Sequence, residues 1–330
     1  MTQPILQVTG LSVRYRSRES VTYAVEQASF SLFPGQVLAI VGESGSGKST
    51  AAMAVLRLLS PDAEILSGSA RFDGQDLLSL PDSALRTIRG RRIATIFQDP
   101  VAGLNPVISI GDQVAESLTS HLRIDKKEAK RRAVAILRNV GLSDPERVAK
   151  AYPFQLSGGM CQRVMIGIAT ALDPQVIIAD EPTSALDVTI QAQILHQLDT
   201  LRRERGTAIL LITHNFGVVA QVADDVAVMY GGRVIEQGTV DEMMDHPFHP
   251  YTHALLNTLP RLNSTARQLH AIPGNPPELT APAEQCPFIP RCGKVMNVCR
   301  TSPPPPLAMF GHATHPVACY NPVWQARNEE

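Results

Sequence analysis

Three short, nearly unbroken apolar runs stand out along the chain. They occupy residues 37–41, 176–179 and 207–212. Runs of this length predict strands of a parallel sheet covered on both faces, because a strand with one face in water alternates between apolar and polar residues. Residues 5–9, 11–15 and 24–32 do alternate, and they predict a separate antiparallel sheet near the amino terminus.

The stretch between the first two apolar runs has a helical pattern over much of its length. Shorter strands are predicted at residues 67–74 and 93–97, and residues 111 to about 172 are predicted to be helical. Within 126–140 the apolar residues recur three or four positions apart, which places them on one face of a helix. The basic residues of that segment are then a solvated face rather than a nucleic-acid site.

The first apolar run leads into a glycine-rich loop, residues 42–50, with the sequence GESGSGKST. A helical pattern follows, so the order is strand, loop and helix, as in phosphate-binding loops. Glycine lacks a Cβ and lets successive backbone N–H groups turn toward a phosphate, while the helix adds its positive dipole end. Lys48 is predicted to reach the β- and γ-phosphates of a nucleotide, and the Ser49 hydroxyl to ligate Mg²⁺. The other predicted nucleotide-binding residues of the loop are Gly42, Ser44, Gly45, Gly47 and Thr50.

Polar residues of catalytic type follow the other buried strands. Asp180 and Glu181 come directly after residues 176–179, and His214 follows the third apolar run. Parallel strands end at one edge of a sheet and ligands bind there, so these residues are predicted to meet the phosphate loop. Asp180 is suited to hold Mg²⁺ in the second shell, Glu181 to orient or deprotonate an attacking water, and His214 to hold the γ-phosphate and the water in line. Gln98, at the end of another strand, is predicted to contact the metal or the water.

Two further features are candidates for nucleotide contacts. Ser157, Gly158 and Gly159 open a predicted helix, and this combination is either a second anion-binding geometry or an ordinary helix cap. A tyrosine ring from the amino-terminal strands is predicted to stack on a purine base. Tyr15 is the first candidate for that role, and Tyr23 competes with it.

Composition limits the classes of function. The 330-residue chain has 30 Lys and Arg against 31 Asp and Glu, a net charge of -1, which excludes a surface that coats nucleic acid. The first residues lack the pattern of a signal peptide, and no run approaches the roughly 18 apolar residues of a membrane-spanning helix. These features predict a cytosolic protein, or one held at a membrane by a protein partner.

The composition changes after His246. Residues 246–330 contain 15 of the 25 prolines and four of the five cysteines, and predict an appended module. The cysteines are Cys286, Cys292, Cys299 and Cys319. A module with a small core needs a further stabilising element such as a bound metal. The cysteine spacing favours an iron–sulfur cluster over Zn²⁺, and four free thiols are the alternative. The residues predicted to assist are His312 and His315 as ligands and Arg291, Lys294 and Arg300 as counter-charges.

Taken together, the motifs resemble those of the ATP-binding cassette (ABC) ATPases over residues 5 to about 245. The matching motifs are the Walker A loop at 42–50, the Q-loop at Gln98, the signature at 156–160, the Walker B strand at 176–181, the D-loop at 184–187 and the switch histidine at His214. Met160 replaces the usual glutamine of the signature, and a mild effect is expected. The resemblance implies a dimer in which Ser157 and Gly159 of one subunit contact ATP bound by the other, with Asp187 among the nucleotide-binding residues.

The carboxyl-terminal residues resemble those of one branch of the ABC ATPases. Residues 249–256, 272–274 and 286–292 are similar to the tail of the dipeptide, oligopeptide and nickel importer branch, for which the resemblance implies a [4Fe–4S] cluster on the four cysteines. It implies an ATPase subunit that powers peptide uptake, with nickel uptake as the alternative within the branch. A soluble ABC ATPase acting on nucleic acid or ribosomes is the rival from another class. The near-neutral charge and the single Walker A and signature motifs argue against that rival, and Glu181 and His214 argue against a non-catalytic binding module.

The predicted fold is α/β, a P-loop NTPase with a mixed central sheet, an amino-terminal antiparallel subdomain and a helical signature subdomain. Residues 1–245 are expected to form the ATPase domain, with the helical subdomain at about 100–172, and residues 246–330 the Cys- and Pro-rich module. The implied partners are two integral membrane permease subunits, which residues 98–160 would grip, a second ATPase subunit that is a copy or a paralogue, and indirectly an extracytoplasmic substrate-binding protein. The implied location is peripheral, at the cytoplasmic face of the inner membrane, with no nucleic-acid partner.

Overall fold

The computed structural model describes residues 3–18, 20–184, 187–258, 272–309 and 315–323. Its strands are β1 (Leu6–Arg16), β2 (Val21–Leu32), β3 (Val37–Val41), β4 (Ala63–Phe72), β5 (Gln75–Asp76), β6 (Ile93–Ile96), β7 (Val176–Asp180), β8 (Ala208–Thr213), β9 (Asp225–Tyr230), β10 (Arg233–Thr239), β11 (Ala308–Met309) and β12 (Pro316–Val317). Its helices are α1 (Lys48–Val55), α2 (Asp82–Ile88), α3 (Ile110–Thr119), α4 (Lys126–Asn139), α5 (Pro145–Lys150), α6 (Gly158–Thr170), α7 (Val188–Arg205), α8 (Phe216–Val222), α9 (Val240–Asp245), α10 (Pro250–Leu256) and α11 (Asn297–Thr301).

The strands form two sheets. The antiparallel sheet has the order β2-β1-β4-β5, and the larger sheet has the order β11-β12-β10-β9-β3-β8-β7-β6. In the larger sheet the strands from β9 to β6 run parallel, and β10, β12 and β11 extend it in antiparallel pairing. This arrangement confirms the predicted mixed central sheet and the separate amino-terminal antiparallel sheet.

Residues 5–9 and 11–15 were expected as two strands, and residues 6–9 and 11–15 belong to the single strand β1. Its pairing with β2 shifts register between Val8 and Leu11. Gly10 lies at this bulge with φ +59°, and its N–H donates to Ser29 Oγ at 2.9 Å. A bulge leaves one residue outside the ladder, and glycine adopts the left-handed conformation there without a Cβ penalty, so the strand continues.

The central sheet is covered on both faces. Val37, Ala39 and Val41 of β3 contribute to a core shared with the helices α3 to α8. The intervening residues Leu38 and Ile40 contribute to a second core, shared with α1 and the antiparallel sheet. Because successive strand residues point to opposite faces and both faces are dry, every position is apolar, which explains the unbroken runs in the sequence.

The predicted helical region contains α3, α4, α5 and α6. Ala129, Ala133 and Leu137 of α4 are fully buried in the first core. The basic residues of α4 lie in solvent, where Arg131 and Arg132 pair with Glu128 at 2.8 and 2.7 Å. The solvated face predicted for this helix is therefore confirmed. Among the described residues, no helix is both long enough and apolar enough to cross a bilayer.

The carboxyl-terminal segment adds β11 and β12 to the central sheet, a contribution that its proline-rich composition does not predict. The contact centres on Glu236 of β10, which is 0% exposed. Its carboxylate accepts hydrogen bonds from the N–H groups of Phe248 at 2.6 Å and His249 at 2.9 Å, and lies 2.7 Å from His315 Nε2. A buried carboxylate with three polar partners is satisfied, and it fixes the start of the segment against the sheet.

His249 caps α10 from a buried position. Its Nδ1 accepts a hydrogen bond from the Tyr251 N–H at 3.0 Å, and the residue is 2% exposed. Burial lowers the pKa of His249 from 6.5 to about 4, although the nearby Glu236 carboxylate acts in the opposite direction. The imidazole is therefore neutral in the folded protein near neutral pH.

This neutral histidine predicts a loss of stability in mild acid. As the pH falls from 6.5 toward 4, the unfolded chain takes up a proton at His249 that the folded protein excludes, so the free energy of unfolding decreases by up to about 3 kcal/mol. His249→Asn keeps a capping oxygen and removes the titration. Urea unfolding from pH 7 to pH 4.5 is expected to show a shallower pH slope for this variant than for the wild type.

The exposed His196 on α7 provides the control. His196→Asn is expected to retain the wild-type slope. Equal slopes for His249→Asn and the wild type would contradict the assignment of the acid sensitivity to His249.

Candidate functional site

The phosphate loop joins β3 to α1 and closes around the Lys48 side chain. Lys48 Nζ donates to the carbonyl oxygens of Gly42 at 2.9 Å and Glu43 at 2.8 Å. Burial lowers the pKa of Lys48, while the carboxylates of Glu181, Asp180 and Glu43 act in the opposite direction. The loop therefore presents a buried cation beside the amino terminus of a helix, an arrangement that binds phosphate.

Two glycines hold the loop against neighbouring strands. A Cβ on Gly42 would lie 2.2 Å from the carbonyl oxygen of Met229 in β9, and one on Gly47 would lie 2.2 Å from that of Ala24 in β2. Both positions have positive φ angles, +155° and +97°. At Gly45 a Cβ would meet nothing within 4 Å. The path of the loop is thus set at its two ends by direct backbone packing.

Ser49 and Asp180 form a pair of oxygen ligands next to the loop. Ser49 Oγ donates to Asp180 Oδ1 at 2.9 Å, across 131 residues of sequence. Burial raises the pKa of Asp180, and the hydrogen bond from Ser49 lowers it. A hydroxyl and a carboxylate are hard oxygen donors of the type that Mg²⁺ prefers, so the residues present fit that ion.

The three predicted catalytic residues meet at Glu181. Its Oε1 lies 2.9 Å from His214 Nδ1, and its Oε2 accepts from Gln98 Nε2 at 3.2 Å. The Glu181 backbone has φ +44°, and its N–H donates to Ile212 O of β8 at 2.9 Å. A left-handed conformation is uncommon for a residue with a side chain, and such strain is found at functional sites. In this structure Gln98 contacts Glu181 rather than the Ser49–Asp180 pair.

Of the two tyrosines considered for base stacking, one lies beside the phosphate loop. Tyr15 Oη is 3.2 Å from Thr50 Oγ1, at the first turn of α1. Tyr23 instead interacts with Arg14, whose pKa is raised mainly by its hydrogen bond to Glu64 and further by Tyr23. The geometry favours Tyr15 over Tyr23, and base stacking by Tyr15 stays a prediction.

Two protein-family models and several named relatives match this chain. A family model described as "ABC transporter" matches residues 25–184, and one described as "Oligopeptide/dipeptide transporter, C-terminal region" matches residues 235–299. The oligopeptide transport ATP-binding protein OppD of Haemophilus influenzae is 45% identical over 94% of this chain and 95% of that protein. This chain belongs to the ABC transporter family.

Two other comparisons agree with this ABC assignment. OppD of Mycobacterium tuberculosis is 49% identical over 91% of this chain, and the match covers 49% of that protein, so the chain spans about half the length of its mycobacterial relative. A dimeric ATP-binding cassette, solved in a post-hydrolysis state with ADP and phosphate bound, superimposes with a TM-score of 0.65 at 29% identity, over 71% of this chain and 98% of the other. The predicted P-loop NTPase fold is confirmed.

The side chains of the ABC signature and the D-loop cap helices in this structure. Ser157 caps α6 by accepting from the Met160 N–H at 3.3 Å, and a Cβ on Gly158 would meet nothing within 4 Å. Asp187 caps α7 through the Ile190 N–H at 2.9 Å. Across the described parts of the chain, neither of these capping side chains hydrogen-bonds to the phosphate loop. The nucleotide contacts predicted for Ser157, Gly158, Gly159 and Asp187 stay predictions.

The sequence reasoning missed a second group at the phosphate loop, which comes from the tail. Tyr251 Oη accepts a hydrogen bond from the Glu43 N–H at 2.8 Å. Arg291 donates to both carboxylate oxygens of Glu43, at 2.6 and 2.9 Å. Arg291 was expected to offset thiolate charge, and its partner is instead a loop carboxylate 248 residues away. No local pattern signals a contact over that separation.

The predicted iron–sulfur or zinc site is wrong. Among the described residues, no three His, Cys, Asp or Glu side chains are placed to hold a metal ion. Cys286, Cys292, Cys299 and Cys319 line a cavity of about 20 Å³, which has room for about one water molecule and none for a cluster.

The thiols of the tail have the properties of neutral packing groups. Burial raises the pKa values of Cys286 and Cys292, and raises that of Cys319 to about 12. Burial disfavours the charged thiolate form, so these three side chains are neutral near neutral pH. Of the histidines considered as ligands, His315 pairs with Glu236, and His312 lies outside the described residues.

The loop packing predicts different costs for two alanine substitutions. Gly42→Ala is expected to lower the free energy of unfolding by about 3 kcal/mol or more, because its Cβ collides with the β9 backbone. Gly45→Ala is expected to cost about 1 kcal/mol, from the left-handed conformation alone. Urea unfolding of the two variants against wild type makes the measurement, and equal costs would contradict the packing described for Gly42.

Proposed function

We propose that this chain binds and hydrolyses ATP, and that the hydrolysis drives import of oligopeptides or dipeptides through a membrane transporter. The observation that carries the proposal is the convergence of Lys48, the Ser49–Asp180 pair and Glu181 at one edge of the central sheet. The peptide substrate is supported by the names of the relatives, which are oligopeptide transport proteins, and by the matching tail family.

The chemistry follows from the placement of the side chains. Glu181 accepts a proton from a water molecule whose oxygen attacks the γ-phosphorus of ATP, and the bond from that phosphorus to the β–γ bridging oxygen breaks, leaving its electron pair on ADP. His214 and Gln98 hold one carboxylate oxygen of Glu181 each and so orient the base. Lys48 offsets charge on the phosphates. Mg²⁺ bound by Ser49 and Asp180 supplies further positive charge to the phosphate oxygens.

The second half of each ATP site is proposed to come from another ATPase subunit. Ser157, Gly158 and Gly159 start α6 at an exposed position, where free N–H groups and a hydroxyl are available to an anion. Asp187 is likewise exposed at the start of α7. The dimeric form of the solved cassette supports this arrangement. The partner is a copy of this chain or a paralogue.

A membrane partner is proposed for the surface around the helical region. Val101, Val107 and Phe154 are 51%, 79% and 73% exposed, which is unusual for large apolar side chains and typical of a protein interface. We assign this surface to two permease subunits, with the chain peripheral at the cytoplasmic face of the inner membrane and a substrate-binding protein outside. We also propose the division into an ATPase domain, 1–245, and a tail module, 246–330.

Two alternatives are less well supported. Nickel uptake shares the branch, but the relatives described above are named for oligopeptides. A soluble ABC ATPase acting on nucleic acid would be expected to have a basic surface, and the net charge of this chain is -1.

Glu181→Gln tests the catalytic assignment. The amide keeps the size of the side chain and cannot accept the proton, so hydrolysis is expected to fall at least about 100-fold while ATP binding persists. The variant is expected to elute as a dimer in gel filtration with ATP. Glu204→Gln, at an exposed position on α7, serves as the matched control and should behave as wild type. A monomeric Glu181→Gln protein with normal hydrolysis would overturn the assignment.

Uptake by cells tests the substrate. In cells whose only copy of this chain is Glu181→Gln, uptake of a labelled tripeptide is expected to fall to background while nickel uptake is unchanged. The reverse result would replace the peptide assignment with nickel, and loss of neither would remove the chain from import.

A further inference from the structure

In the described part of the chain, the carboxyl-terminal segment hydrogen-bonds to Glu43 of the phosphate loop. Arg291 binds the Glu43 carboxylate through both terminal nitrogens, and Tyr251 binds the Glu43 backbone. The Arg291 side chain is 3% exposed and that of Glu43 is 23% exposed, so the ion pair is largely shielded from water. A bidentate pair in such a place is among the stronger polar contacts that a protein makes.

Contacts other than the one with Glu43 also hold the guanidinium group of Arg291 in place. Arg291 Nε donates to Pro273 O at 2.8 Å, and Nη1 also donates to Tyr230 Oη at 3.3 Å. The Tyr230 ring packs against those of Tyr251 and Phe288, with centroids 4.5 and 5.1 Å away. The tail thus supplies a positive charge at a defined position, with little rotamer freedom left to lose.

The positive charge of Arg291 matters for phosphate binding because of where Glu43 lies. Glu43 belongs to the loop that would receive the phosphates, and its own carbonyl oxygen accepts a hydrogen bond from Lys48 Nζ at 2.8 Å. An uncompensated carboxylate there would repel a triphosphate through a medium of low dielectric constant. Arg291 offsets that charge and holds the side chain in one place.

We propose that Arg291 is a positioning residue of the nucleotide site, which sets ATP affinity by neutralising and fixing Glu43. The inference rests on the proposed function, since it requires the phosphates to bind this loop. The competing explanation is that Arg291 only fastens the tail to the rest of the chain. The two explanations predict different ATP affinities when the Glu43 charge is removed from an Arg291 variant.

Binding of Mg–ATP and Mg–ADP to the full chain, measured by calorimetry, separates the two explanations. Arg291→Met is expected to raise the Kd for ATP about fivefold and the Kd for ADP less, because ADP carries less charge. Arg291→Lys keeps the charge but loses the bidentate geometry, so its Kd for ATP is expected to lie between those of wild type and Arg291→Met. In steady-state hydrolysis the KM of Arg291→Met rises while kcat changes little.

The deciding variant is the double substitution of Glu43→Gln with Arg291→Met. It removes both charges, so its Kd for ATP is expected to return to within about twofold of wild type. If the double variant binds ATP as weakly as Arg291→Met, the residue acts only as a fastener and the inference is overturned. Glu43→Gln alone is expected to bind ATP at least as tightly as wild type, and a severalfold loss would overturn the inference even if Arg291→Met failed to fold.

Arg233 offers a matched control. It pairs with Glu26 at 2.7 Å, with side chains 18% and 14% exposed, and Glu26 also accepts from the Ala283 N–H of the tail at 3.1 Å. Arg233→Met removes the partner of Glu26, which also holds the tail, and leaves in place the backbone hydrogen bond from the neighbouring Gly232 N–H to Ser46 O of the phosphate loop at 3.1 Å. It should therefore leave the Kd for ATP unchanged. Wild-type protein that fails to bind ATP would overturn the proposed function, whereas normal ATP binding by both wild type and Arg291→Met would overturn this inference alone.

Discussion

The parallel pairing of β8 with β7 on one side and with β3 on the other determines where the phosphate loop, Glu181 and His214 lie. Val41 is in register with Thr213, and Asp180 with Ile212, so the residues that follow each strand leave the sheet side by side. The segments that follow β3, β7 and β8 are far apart in sequence. The site therefore depends on the two buried cores that hold the strands in register, because a slip would separate the base from the phosphate loop.

The same edge concentrates negative charge around one lysine. Glu43, Asp180 and Glu181 all contribute to the electrostatic environment of Lys48. A site with three carboxylates and one ammonium group is poorly matched to a polyanion unless other cations offset them. Mg²⁺ at Asp180 would provide one such charge. Arg291, whose guanidinium pairs with Glu43, provides another. Affinity for phosphate is thus distributed over distant parts of the chain.

Local patterns predict the parts of this site that local physics determines. The loop at 42–50 has the residue order typical of a phosphate-binding turn, and strand topology places Gln98, Glu181 and His214 at one edge of the sheet. The contact of Gln98 with Glu181 was not predicted, because topology does not determine which partner a side chain takes. The bulge at Gly10 was missed because one residue outside a ladder leaves the alternation on both sides intact. The metal-site prediction from the cysteines was wrong because spacing along the chain does not determine whether side chains converge, and no three potential ligands among the described residues are placed to hold a metal ion.

The tail was the least predictable part because its contacts are made through single side chains at long range. They form a connected path through the structure. Glu236 of the central sheet binds the His249 N–H, His249 caps the helix that begins there, and that helix presents Tyr251 to the backbone of Glu43. The two hydrogen bonds made by His249 are buried and the bond from the Glu43 N–H to Tyr251 is partly buried, so losing any of them would leave a polar group unpaired and shielded from water. A segment attached in this way shares its anchoring contacts with the phosphate loop, and its packing and the shape of the nucleotide site are determined together.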